Sequence, residues 1–234
     1  MKMIDRIFRK AKNDLIRTEI EEYSELYNKT LRDWLINHHK DIVFDKMKWQ
    51  GVRILKNPMD LWIYQEILFE TRPEVIIEIG SANGGTTLFL AHMSEIISED
   101  GSVVISIDID RSNYKVSHPR IKSITGDSLS DSVFDEVAGY CAGRKVLIIH
   151  DADHTEESVY ANLVKYGSLV TSGSYFIVED GIIDLFSSTE GIGGHPGPLR
   201  ATKRYLLSNS DFEIDVSRER YWLTYNPKGF LRRK

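Results

Sequence analysis

Val75-Ile76-Ile77-Glu78-Ile79-Gly80-Ser81-Ala82-Asn83-Gly84-Gly85 is the stretch that decides the fold. An apolar, β-branched run of strand length ends at an acid and a set of small residues, and a helical pattern follows from Thr86 to Met93. That order describes a buried strand, a tight turn whose glycines allow close backbone approach, and a helix whose N-terminus faces a ligand. The spacing is Glu-x-Gly-x-x-x-Gly. A dinucleotide pyrophosphate site requires Gly-x-Gly-x-x-Gly, and the missing first glycine argues against one. Glycines after a strand also serve plain turns, so the rest of the chain has to carry the reading.

After Pro73, strand-like and helix-like runs alternate. Strands are predicted at 75–79, 103–108, 121–125, 145–150 and 174–178, with two more, 212–216 and 221–225, near the C-terminus. Helices are predicted at 86–98, 130–139, 156–166 and 199–208. The alternation implies βαβ units and an α/β fold with a doubly wound, mostly parallel seven-stranded sheet. The last two strands flank the short polar stretch 217–220, so they form a hairpin and place one antiparallel strand in the sheet. Upstream, a helix is predicted from Pro58 to Glu70, with Pro58 in its first turn and Asp60 beside its N-terminus. Between Asp5 and His39 the residues Ile7, Leu15, Ile20, Tyr23, Tyr27, Leu31, Trp34 and Leu35 recur largely at helical spacing. They mark one or two amphipathic helices whose stripe packs against the domain or against another subunit, and a homo-oligomer is expected. The expected domains are an N-terminal helical segment over 1–45 and a ligand-binding domain over 46–234.

Composition narrows the class. The chain has 234 residues, 41% hydrophobic and 28% charged, as ordinary soluble globular proteins have. A net charge of −5 offers no basic excess for a phosphate backbone, so no nucleic-acid partner is expected. Cys141 is the only cysteine; it cannot form an intramolecular disulfide and is read as a packing residue. Charges run throughout the first residues, and no stretch approaches the length of a membrane span. A soluble, cytoplasmic protein with no membrane partner is expected.

In an open α/β sheet, ligands sit beyond the carboxyl ends of the strands. The first strand end offers Glu78, Gly80, Ser81 and Gly84. The second ends Ile107-Asp108-Ile109-Asp110, where Asp108 can accept hydrogen bonds from two ribose hydroxyls. The third ends Thr125-Gly126-Asp127-Ser128, where Asp127 or Ser128 can meet an adenine amino group. Any one such acid is commonly a helix cap, but acids at three successive strand ends argue for an adenosine-bearing ligand. The fourth end is His150-Asp151-Ala152-Asp153-His154 and the fifth Val178-Glu179-Asp180-Gly181. Neighbouring strands are about 5 Å apart, so these carboxylates converge and repel unless a cation sits among them. Oxygen donors favour a hard divalent ion, Mg²⁺ first, then Mn²⁺ or Ca²⁺. The plain alternative is a set of solvated acids with capping duties, Asp153 or Thr155 capping the helix from Glu156. Asp151 and Asp153 both remain open as the metal ligand.

The Glu78-to-Gly84 turn resembles the first motif of class I S-adenosylmethionine (SAM) methyltransferases, a Rossmann-like fold whose sheet also finishes on an antiparallel strand. An Asp at a strand end, an imidazole three residues later and an acidic pair on the next strand resemble the catechol O-methyltransferase type. Several further segments resemble the cephalosporin hydroxylase/rhamnosyl O-methyltransferase family. They are Trp49-Gln50-Gly51-Val52 with Lys56, Pro58-Met59-Asp60-Leu61-Trp62-Ile63-Tyr64-Gln65-Glu66, Gly194-His195-Pro196-Gly197-Pro198 and Asn226-Pro227-Lys228-Gly229-Phe230-Leu231. The resemblance implies an O-methyltransferase that transfers the methyl group of SAM, with Mg²⁺ or Mn²⁺, to a hydroxyl of a sugar or polyhydroxylated natural product. It implies Glu78, Gly80, Ser81, Gly84, Asp108, Asp127 and Ser128 around SAM, Asp151 or Asp153 with Glu179 and Asp180 on the metal, and His154 as general base. The glycine-rich loop 187–198 is read as a lid, and Trp49, Trp62 and Tyr64 as possible pocket walls, with core packing the safer reading for Trp62. A phenolic or other small-molecule acceptor, and a non-catalytic domain of the same fold, are the alternatives.

Overall fold

Seven strands form one sheet: β1 Val75–Ile79, β2 Val103–Asp108, β3 Ile121–Thr125, β4 Val146–His150, β5 Tyr175–Val178, β6 Phe212–Ile214 and β7 Phe230–Arg233. The computed structural model describes residues 2–97 and 102–234, with side chains from residue 9 onward. The strand order is β3-β2-β1-β4-β5-β7-β6. From β3 to β5 all pairings are parallel, and β7 runs antiparallel to both β5 and β6. Every residue of β1 and β4 is buried, as runs apolar but for Glu78 and His150 require.

Alternation along the strands sorts the core into two layers. Val75, Ile77, Ile79, Val146 and Ile148 face one cluster, filled from helices α5 (Asp131–Cys141), α6 (Glu156–Tyr166) and α7 (Pro198–Ser208). Ile76, Leu147, Ile149 and Ile177 face the other, filled from α3 (Pro58–Thr71) and α4 (Gly85–Ile97). Each buried Val, Ile or Leu contributes roughly 1.5–3 kcal/mol relative to exposure. Side-chain caps fix the helix starts: Asn57, Ser130 and Thr155 accept from Met59, Val133 and Ser158 N–H groups. Ser98, the predicted last residue of α4, lies outside the described residues. Cys141 ends α5 with its thiol buried.

The C-terminal hairpin differs from its prediction. Residues 221–225 form no strand; the partner of β6 is β7, at 230–233. Asp60 takes the Tyr225 N–H and the Thr224 hydroxyl, and Trp222 sits at a left-handed φ of 63°, so this stretch cannot enter a ladder. Phe230 and Leu231 are fully buried instead.

Contacts divide the chain into two compact units, Met1–Asn37 and His38–Lys234, whereas the expected boundary lay at 45/46. In the second unit, a π-helical turn over His38–Val43 is pinned by its buried ends, with His38 Nδ1 2.7 Å from the Tyr225 hydroxyl. The first unit holds α1 (Lys2–Tyr27) and α2 (Leu31–Asn37), the latter started by reciprocal bonds between Thr30 and Asp33. Leu15, Ile20, Tyr23 and Tyr27 are exposed; the Ile7 side chain lies outside the described residues. Among the described residues no helix is long and apolar enough to cross a membrane.

Candidate active site

Strand parity decides which acids meet. Glu78 continues the Ile76 side of β1, Asp151 the Ile149 side of β4 and Glu179 the Ile177 side of β5, all toward α3 and α4. Lys56, just ahead of the Asn57 cap of α3, enters from that same side and is itself buried. Its Nζ lies between Asp151 Oδ2 and Glu179 Oε2, 2.9 Å from the latter. Asp151 turns its other oxygen to His154, whose Nε2 is 3.3 Å away, and the same Nε2 lies 2.7 Å from Asp180 Oδ2. The result is a row of alternating acidic and basic side chains, Glu179, Lys56, Asp151, His154 and Asp180, in which burial raises the Glu179 carboxyl well above its ordinary value against the pull of Lys56.

Each member is fixed from behind. Glu179 Oε1 accepts from the Tyr64 hydroxyl at 2.7 Å, and Asn226 donates to that hydroxyl while accepting from the Asp180 N–H. Asp180 adopts a left-handed φ of 56°, which carries its carboxylate away from the Glu179 side and toward His154. Burial opposes ionisation of Asp151, yet Lys56 and His154 hold its carboxyl below the usual range. Burial likewise disfavours a charged His154, but Asp151 and Asp180 outweigh it and raise the imidazole well above its ordinary value. Ligand atoms of Asp151, His154 and Asp180 lie within 4.8 Å of one another, a spacing one metal ion can span. Asp153 is not part of this group: it is exposed, and both its oxygens accept from Thr155 at the start of α6. Glu179 is held off it by Lys56 and Tyr64.

Beside the cluster, a cleft of about 490 Å³ runs across the ends of β1 to β4, lined by Gly80, Asp108, Asp127, Ser128 and Asp151 among others. Gly80 has φ 88°, and a Cβ there would overlap the Asp151 carbonyl, so only glycine lets β1 turn this close to β4. Asp108 Oδ2 accepts the Ser81 and Ala82 N–H groups, both at 2.8 Å, and thereby shapes the turn. Oδ1 accepts only the Asp110 N–H, so its second lone pair gives Asp108 capacity toward the cleft. Asp127 is exposed, with Oδ1 accepting from Leu129 N–H, and Ser128 donates to Asn162. Glu78 and Ser81 do not line this cleft. They border a cavity of about 20 Å³ with Lys56 and Asp151, where Thr87 donates to Glu78. Gly84, at φ 84°, packs under Tyr114.

Arg111 and Lys56 carry parts that the strand-end reading did not assign. Arg111 ties Ser81, Ser106 and the Ile124 carbonyl together across three strands. The one local signal for Lys56 is a lysine following two apolar residues and preceding a helix cap, in Ile54-Leu55-Lys56-Asn57-Pro58. Trp62, expected in the core, is exposed and donates to Glu66, because α3 buries Ile63, Tyr64, Ile67 and Leu68 instead. Trp49 packs edge-on to Phe89 and donates to His92, away from the carboxylates. The end of the glycine-rich loop abuts the site: the Pro196 carbonyl accepts from Glu156 N–H, two residues after His154.

Residues 41–234 match a family model described as rhamnosyl O-methyltransferase/CmcI. The rhamnosyl O-methyltransferase of Mycobacterium leprae is 31% identical over 210 residues, covering 84% of this chain and 87% of that protein. Its counterpart from Mycobacterium tuberculosis is 29% identical over 205 residues, covering 83% and 81%. A CmcI structure with Mg and SAM superposes with a TM-score of 0.62 at 26% identity, covering 82% of this chain and 78% of that one. An apo structure of CmcI gives 0.61 at 26% identity, covering 80% and 76%. With the family model spanning the whole sheet and both carboxylate-bearing strand ends, this chain belongs to the rhamnosyl O-methyltransferase/CmcI family.

Proposed function

We propose that this protein is a divalent-metal-dependent O-methyltransferase that moves the methyl group of SAM to a hydroxyl of a sugar or polyhydroxylated natural product. One observation carries the reading: Asp151 both lines the 490 Å³ cleft and belongs to the Asp151–His154–Asp180 cluster, so the cofactor side and the metal side meet at one carboxylate. The acceptor class follows the mycobacterial relatives, whose names give a rhamnosyl group, and the cofactors follow the CmcI structure with Mg and SAM.

The residues fit both groups. Two carboxylates within 4.8 Å of one another, Asp151 and Asp180, suit Mg²⁺ or Mn²⁺, and the imidazole of His154 adjoins both. The cleft presents acids at the ends of β2 and β3 and a glycine backbone at the end of β1, as an adenosine with an amino-acid tail requires.

When bound, SAM supplies an electrophilic methyl group, and the divalent ion lowers the pKa of a coordinated hydroxyl. Asp108 accepts from the ribose hydroxyls, and Asp127 or Ser128 meets the adenine. Gly80, Ser81 and Gly84, with Glu78 beneath them, form the turn around the amino-acid part. Asp151 and Asp180 hold the ion, with Glu179 beside them. His154, with its Nε2 set 3.3 Å from Asp151 and 2.7 Å from Asp180, is the group placed to take the acceptor's proton once the ion has drawn those carboxylates to itself. The loop 187–198 excludes water from the acceptor side. A homo-oligomer joined through the apolar stripe of α1, working in the cytoplasm, completes the reading.

The test is methyl transfer from labelled SAM to rhamnosides and other polyols, with and without a strong chelator. His154→Ala should bind SAM as before while turnover falls by roughly 10²–10⁴-fold, the range for loss of a general base. Undiminished transfer in the chelator overturns the metal-dependent mechanism.

A further inference from the structure

We infer that Lys56 is a resident counter-cation of the metal site: it neutralises Asp151 and Glu179 in the metal-free protein and competes with the divalent ion for both. This rests on the metal-dependent reading above. It goes beyond that reading by assigning to a protein cation the place the ion must win.

Three observations carry it. Lys56 Nζ sits between Asp151 Oδ2 and Glu179 Oε2, the two oxygens that face each other at the ends of β4 and β5. Its side chain and that of Glu179 are each 3% exposed, so water cannot screen the pair or take over its role. Glu179 is absent from the group of ligand atoms close enough to share an ion, although it stands next to Asp180 in sequence. While Lys56 holds Glu179 Oε2 and Tyr64 holds Oε1, an ion can reach this site only through Asp151, His154 and Asp180. An ammonium on a four-carbon stem is a movable charge, unlike a guanidinium clamp. The cavity of about 20 Å³ beside it, bordered by Glu78 and Ser81, has room for the ammonium head, and Glu78 offers a second carboxyl there. The backbone under Lys56 stays fixed meanwhile, since Asn57 caps α3 and donates to the Leu223 carbonyl. Displacement therefore moves one side chain from the Asp151–Glu179 gap toward Glu78 and frees two oxygens for the ion.

The proposal makes opposite demands on stability and on metal affinity, which a merely structural lysine does not. In chelator, Lys56→Met should melt at a lower temperature than the natural protein, because two buried carboxylates lose their cation. The same variant should bind Mn²⁺, measured by electron paramagnetic resonance without acceptor, at least about tenfold more tightly, since the competing charge is gone. Its melting temperature should also rise further on adding Mn²⁺. Lys56→Gln, which keeps a donor for Glu179, should shift Mn²⁺ binding in the same direction and serves if the Met variant does not fold. SAM affinity measured alongside confirms an intact cleft. If the natural protein binds Mn²⁺ and neither variant binds it more tightly, the Lys56 proposal falls while the metal reading stands. If neither the natural protein nor the variants bind Mn²⁺, both fall together.

Discussion

Single residues at the strand ends set the electrostatics of this site, and two of them give measurable consequences. Glu78 is fully buried, and burial raises its carboxyl from the ordinary 4.5 to about 7 against the Thr87 hydrogen bond. A raised folded value means that the folded state keeps a proton the unfolded chain has lost. The stabilising contribution is complete below about 4.5 and disappears as pH climbs toward about 7. Thermal unfolding followed from pH 4.5 to 8 should therefore show a decline that Glu78→Gln flattens; an unchanged slope in the variant would contradict the assignment. Asp108 acts on the other side of the turn. Asp108→Ala removes the acceptor of the Ser81 and Ala82 N–H groups as well as the partner proposed for the ribose. Calorimetry should show SAM affinity reduced by about 1–3 kcal/mol, the cost of hydrogen bonds left unmade.

At the scale of elements, the β1–α4 turn is the piece with no tolerance. Gly80 needs both a left-handed backbone and the space a Cβ would fill, because the Asp151 carbonyl lies against it. Gly80→Ala should cost at least about 2 kcal/mol in urea unfolding, adding backbone strain to overlap. A variant with unchanged stability would show that β1 and β4 can separate without loss. The same crossing explains why the cleft and the carboxylate cluster share Asp151: the turn after β1 packs on the backbone of the residue whose side chain joins the cluster. The C-terminal crossover shows an element decided from outside itself. Residues 221–225 carry strand-forming aromatics, but Asp60 at the start of α3 captures their hydrogen-bonding groups and hands the sheet position to 230–233.

For the whole molecule, the unresolved demand is the apolar stripe of α1, with Leu15, Ile20, Tyr23 and Tyr27 all exposed. Surfaces of this kind mark association sites, and closed symmetry makes a dimer the simplest outcome. Light scattering should give the full chain a mass of at least two protomers, and removal of residues 1–37 should reduce it. A full-length protein that stays monomeric at high concentration would end this proposal.

The sequence by itself determined the layered α/β fold, because period-2 and period-3.6 patterns are local and β1 and β4 carry apolar residues on both faces, broken only by Glu78 and His150. It also placed the chemistry-bearing residues at the strand ends, since ligand position in such sheets follows from topology. It did not separate Asp151 from Asp153, because the two are two residues apart just past the end of β4 and strand parity puts them on one side; the start of α6 drew Asp153 to Thr155, while Asp151 stayed with Lys56 and His154. Nor did it find the ion pairs of Lys56 with Asp151 and Glu179, whose partners lie on strands far along the chain. Contacts at such separation exist only once β4 and β5 are paired and α3 is docked on them, and that assembly, not any local pattern, put a lysine among the acids.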